Sequence, residues 1–63
     1  MKRVFTAQEL FKEAAREVRY RMFVYPRLID EEKLTLREAK HRIALMEEIA
    51  MIFEAETEKE RLL

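Results

Sequence analysis

The chain predicts an all-α fold: an antiparallel two-helix hairpin that completes its core by associating with something else. Composition is the first reason. Glycine, serine, asparagine, cysteine and tryptophan are absent, and Pro26 is the only proline. Glu, Arg, Leu, Ala, Lys and Met dominate, all good helix formers. The second reason is pattern. Two apolar stretches of helical period, each preceded by the same start signal, flank a short acidic connector. The third is size. At 63 residues a single core rarely supplies more than about 3–5 kcal/mol. Small domains make up the shortfall with disulfides, a structural metal or oligomerisation. A chain with no cysteine and one histidine is left with oligomerisation or docking on a larger partner.

The first helix is expected over about 6–31. Thr6 is a good N-cap, Glu9 stands at N3 to close a capping box, and Phe5 and Leu10 can form a hydrophobic staple. Ala7, Phe11, Ala15, Val18, Met22, Tyr25 and Ile29 then follow at alternating helical intervals, and Leu10, Ala14 and Leu28 widen the stripe. Pro26 removes one i→i−4 hydrogen bond and biases Tyr25 away from the α region. The stripe stays in register beyond it, which favours a kinked or nearly continuous helix over a break near Val24. Asp30-Glu31-Glu32-Lys33 is the connector.

The second helix is expected over about 35–56, leaving 57–63 as a charged, fraying tail. Thr35 and Glu38 repeat the capping box after Leu34. Leu36, Ala39, Ile43, Met46, Ala50 and Phe53 are spaced 3, 4, 3, 4 and 3, the seam of a helix packed on a neighbour. A second line, Leu45, Ile49 and Ile52, runs beside it. Together the two cover roughly 200° of the wheel, interrupted mainly by Arg42, where a core-facing stripe needs a little over 100°. The short connector makes the helices antiparallel neighbours, and the surplus apolar arc predicts a homodimer closing into a four-helix bundle. Leu45, Ile49, Ile52 and Phe53 are the candidate self-association residues.

Net charge is zero but unevenly placed. Residues 1–27 carry seven Lys/Arg against three Glu, and residues 28–63 carry six against ten Asp/Glu. A neutral total argues against strong sequence-independent nucleic-acid binding. No apolar run is long enough to span a membrane. Nor do the first residues read as a signal peptide. A cytoplasmic location is the expectation.

One face of helix 1 gathers Lys12, Arg16, Arg19, Phe23 and Arg27, with Tyr20 at its margin. Arginine pairs bidentately with carboxylate or phosphate, and exposed aromatic rings stack or anchor. These are the candidate partner-binding residues. The plainer reading is a solvated face, with Arg21 paired to Glu17 one turn away. Glu38 and His41 have the Glu-x-x-His spacing of di-iron bundles. The histidine points away from the seam, however, and the glutamate is explained by the cap. No metal or other cofactor is expected. Without serine or cysteine, and with one unsupported histidine, nucleophilic catalysis has no machinery. A phosphate-cradling loop has no glycine.

The run Arg19-x-Arg21-x-x-Val24-Tyr25-Pro26-Arg27, followed by Leu34-Thr35-x-x-Glu38-Ala39 and Ile43-Ala44-x-Met46-Glu47-x-Ile49-Ala50, resembles short helical proteins encoded by bacteriophages and prophages. The resemblance spans about two-thirds of the chain and departs at the connector, where that family is expected to favour glycine near Glu32. It implies a phage or prophage context and transfers no activity. The expected function is a small non-enzymatic protein–protein interaction module acting through helix surfaces. A nucleic-acid-binding hairpin dimer using the arginine-rich face of helix 1 is the alternative.

Overall fold

The computed structural model describes residues 3–62, which form two helices, α1 (Ala7–Asp30) and α2 (Leu36–Leu62), and no strand. They pack side by side as an antiparallel hairpin, a rod of 47 × 21 × 17 Å. Both helix starts are built by side chains. At α1 the Glu9 amide donates to Thr6 Oγ1 at 3.1 Å and the Thr6 amide reaches back to Glu9 Oε1 at 3.5 Å. At α2 the equivalent pair, Glu38 N–H to Thr35 Oγ1 and Thr35 N–H to Glu38 Oε1, measures 3.1 Å each way. Each box satisfies amides that have no partner inside the helix.

α1 passes through Pro26 without a break and ends at Asp30. The lost hydrogen bond falls at the Met22 carbonyl, and both Met22 and Pro26 are exposed, so water can take the freed acceptor. The helix stops in a Schellman motif. The Lys33 amide donates to the Leu28 carbonyl at 2.9 Å and the Glu32 amide to the Ile29 carbonyl at 3.0 Å. This places Glu32 at the left-handed C′ position, with φ of 60°.

The second helix differs from expectation at its far end. It continues through 57–62 instead of fraying after 56; Leu63 lies outside the described residues. The cause is local. The segment has no glycine or proline, and Thr57 Oγ1 donates to the Phe53 carbonyl at 2.7 Å. Arg61 and Glu58 pair at 3.2 Å, with Lys59 and Arg61 in the last turn where the helix dipole favours cations.

The core is thin. The buried apolar residues are Ala7 and Ala14 of α1, Ala39 and Ala50 of α2, and Leu34 of the connector. Alanine at the contact line lets two helices approach closely. Larger side chains, among them Leu10, Phe11, Val18, Ile43, Met46 and Phe53, wrap the contact half-buried. On α1 the buried arc is turned relative to the expected stripe. Met22 lies outside it at 59% exposure, while Glu17 and Arg21 take places in a 3–4 spaced line of buried and half-buried residues running Ala7, Leu10, Ala14, Glu17, Arg21, Val24, Leu28. On α2 the seam holds from Ala39 to Phe53, but Leu36 at its head is 57% exposed.

The chain exposes 5666 Å², whereas a compact monomer of 7.7 kDa exposes about 4,300 Å². It therefore buries only about half the surface of its unfolded form, below the roughly 60% usual at this length. Its radius of gyration, 14.3 Å, likewise exceeds the about 10.6 Å of a globule of this length.

Candidate functional site

The hairpin has two flanks and a back, and the residues singled out in the sequence fall on different ones. Leu45, Ile49 and Ile52 lie along one flank of α2, respectively 50%, 40% and 52% exposed. Ile49 borders an open apolar trough between the helices, floored by Ala14 and edged by Leu10, Met46 and Phe53, with Glu13 and Glu17 on its α1 rim. Phe53 differs from the other three. It is half-buried in the intramolecular contact, and the Arg3 guanidinium stands over its ring at 5.6 Å from the centroid. Arg3 also pairs with Glu56, so the segment before α1 is latched to the end of α2.

The opposite flank carries the surplus of α1. A second shallow trough is bordered by Ala15, Val18 and Arg19 on α1 and by Glu47, Ala50 and Met51 on α2. Of these, Met51 is well exposed. Two apolar flanks result, where sequence periodicity had suggested a single surplus line on α2.

The back of α1 holds Lys12, Arg16, Arg19, Tyr20, Phe23 and Arg27, all exposed. Phe23 is 84% exposed and shares a hollow with Val24, Arg27 and Asp30. Arg16 pairs with Glu13 on the same helix, and that hydrogen-bonded contact holds the Glu13 carboxyl below the ordinary carboxylate range and raises the guanidinium. Lys12, Arg19 and Arg27 make no ion pair among the described residues. Glu9, Glu13 and Asp30 are interspersed with these bases around the two hollows on this side. The surface is thus mixed in sign, with free arginines and one protruding ring.

Sequence spacing makes Glu17 and Arg21 an ordinary pair on a solvated face, but they form the polar centre of the hairpin. Arg21 Nε donates to Glu17 Oε1 at 2.9 Å, and Arg21 Nη1 crosses to α2 and donates to the Arg42 carbonyl at 2.8 Å. The Arg21 side chain is 22% exposed. The signal was available: Arg21 lies in heptad register with Ala7, Ala14 and Leu28, and Glu17 with Leu10 and Val24, and only their charge disguised them. Arg3 and Glu56, by contrast, meet across almost the whole chain, and no local pattern announces them.

Glu38 and His41 are both exposed on α2. The Glu38 carboxylate accepts from the Thr35 amide and hydroxyl, which lowers its pKa from the ordinary value. Among the described residues no three His, Cys, Asp or Glu side chains converge to hold a metal ion, and no helix is long and apolar enough to cross a membrane. No protein-family model, curated protein or solved structure matches the chain.

Proposed function

We propose that this protein is a small non-enzymatic interaction module, acting in the cytoplasm, that self-associates as a homodimer and holds a protein partner through its helix surfaces. The observation carrying the proposal is the exposed aliphatic line Leu45, Ile49, Ile52 on a hairpin with too little interior of its own. Against the compact-monomer law the excess surface is about 1,300 Å², and a standard interface removes roughly 800 Å² from each partner. One such contact would bring most of that excess out of water.

The partner-binding surface in this proposal is the back of α1. Exposed Phe23 and Tyr20 beside Arg19 and Arg27 have the composition of interface anchors. The interspersed Glu9, Glu13 and Asp30 favour a protein over the uniformly negative backbone of a nucleic acid. The resemblance to phage and prophage proteins makes a phage or prophage context part of the same proposal. Sedimentation equilibrium at micromolar concentration tests the association. A dimer is expected, converting to folded monomer in Ile49→Asp; a folded monomer for the unaltered chain overturns it. Loss of partner capture in Phe23→Ala/Arg27→Ala, with the dimer intact, is the expected division of labour.

A further inference from the structure

We infer that the second copy docks antiparallel, α2 against α2, about a two-fold axis passing close to Ile49. This rests on the self-association proposed above and assigns it a face, a direction and a register. The line containing Leu45, Ile49 and Ile52 does not stop at its aliphatic residues. With 3–4 spacing it runs Arg42, Leu45, Ile49, Ile52, Glu56 along one flank of α2. Arg42 and Glu56 stand one heptad before and one heptad after Ile49, with opposite charge. Continuing outward at the same spacing, Glu38 and Lys59 repeat the reversal of sign.

Such a line is complementary to itself in one direction. Turned end for end about Ile49, it sets Leu45 against Ile52 of the second copy, and Arg42 against its Glu56. The two-fold repeats each pair, as an isologous contact requires. Laid parallel in register, the same line sets Arg42 on Arg42 and Glu56 on Glu56, and like charges facing each other are destabilising. Both charges are available for the pairing. Arg42 makes no ion pair among the described residues, and Glu56 has one carboxylate oxygen not engaged by Arg3. The α1 rim of this flank is unsuited to the contact, because it presents Glu13 and Glu17. An α2-centred approach brings the aliphatic line together while leaving those carboxylates, already bound to Arg16 and Arg21, at the margin.

The absence of native cysteine makes cross-linking a clean test. Under mild oxidation Ile49→Cys should form a disulfide dimer rapidly. Leu45→Cys should cross-link poorly to itself, since antiparallel pairing about Ile49 separates the two thiol-bearing positions by about 12 Å along the axis. A mixture of Leu45→Cys with Ile52→Cys chains should give the mixed dimer. Circular dichroism checks that each variant keeps the helix content of the parent, as expected at half-exposed positions. Arg42→Glu should weaken the dimer about tenfold at low salt, both copies of the pair being lost. A dimer in which Leu45→Cys links to itself as readily as Ile49→Cys overturns the antiparallel direction. A dimer that does not link at Ile49 overturns the face, and one insensitive to Arg42→Glu overturns the Arg42–Glu56 pairing, each leaving self-association standing. A chain monomeric at all concentrations overturns the association itself.

Discussion

Glu32 is the position where the backbone and the side chain disagree most directly, so its replacement has a calculable effect. Its φ of 60° puts a residue with a Cβ in the left-handed region, which costs about 1–2 kcal/mol for an L-residue. Glycine removes that cost, but the unfolded chain gains freedom worth roughly 0.5–1 kcal/mol. The net expectation for Glu32→Gly is a stabilisation of about 0.5–1 kcal/mol. Both Schellman hydrogen bonds are kept, because they use the backbone of residues 32 and 33. Unfolding entropy near 2.1 cal/mol/K per residue over 63 residues turns this into a rise in Tm of about 4–8 °C. Thermal melts followed by far-UV circular dichroism measure it, at one fixed protein concentration so that association does not move the midpoint. Glu32 also places a negative charge beside the C-terminal end of α1, an unfavourable position against the helix dipole. Glu32→Gln removes the charge alone and should account for only a minor part of the gain. Glu32→Val should lower Tm, since a β-branched residue tolerates this φ worst. Equal midpoints for the glycine variant and the parent, or a stable valine variant, would refute the left-handed assignment.

Thr35→Ala removes the second N-cap and should cost about 1 kcal/mol in urea unfolding. The depressed pKa of Glu38 has Thr35 as its cause, and a depressed carboxyl stabilises the fold fully above the ordinary carboxylate range. That contribution drains as pH falls through the lowered value; the Thr35→Ala variant keeps the amide, the larger cause, and loses the hydroxyl's share, so it should lose somewhat less stability on acidification than the parent does. At the hairpin centre, Arg21→Ala should destabilise by about 1–3 kcal/mol, leaving Glu17 half-buried without its partner and the Arg42 carbonyl without its second donor. Replacing both, as Glu17→Leu with Arg21→Leu, should restore or exceed parental stability in the same unfolding assay. A double variant weaker than Arg21→Ala would mean that the pair acts by more than mutual compensation.

Much of the fold is local chemistry and was open to reading from the chain alone. Thr6 with Glu9 and Thr35 with Glu38 announce both helix starts, because a capping box needs only residues three apart. The seam of α2 from Ala39 to Phe53 follows from spacing, and the short connector makes the helices antiparallel. Elsewhere helix rotation, backbone conformation or bonds between neighbouring turns decided. Met22 fits the periodicity of α1 but faces outward, because alanines at 7 and 14 set the contact line and rotate the helix about them. The charge of the tail predicts fraying, yet bonds within the tail and at its root carry the helix to Leu62. The acidic connector has no glycine of its own to mark its left-handed residue, and only the resemblance, with glycine expected near Glu32, pointed there.

For the candidate site, the residues were identifiable and their grouping was not. Each helix announced its own surplus of apolar or basic residues, since periodicity is a property of one segment. Which surplus shares a flank depends on the rotation of each helix about its axis, and tertiary packing sets that rotation. Hence Ile49 borders one trough, with Leu45 and Ile52 exposed along the same line of α2, while Val18 and Met51 belong to the other, with the arginines and Phe23 behind α1. By itself the sequence determined two capped helices and an unmet need for burial. The tertiary structure decided that Arg21 ties the helices together and that the remaining apolar surface is divided between two flanks, because only packing turns an angular pattern on a helix into a face of a protein.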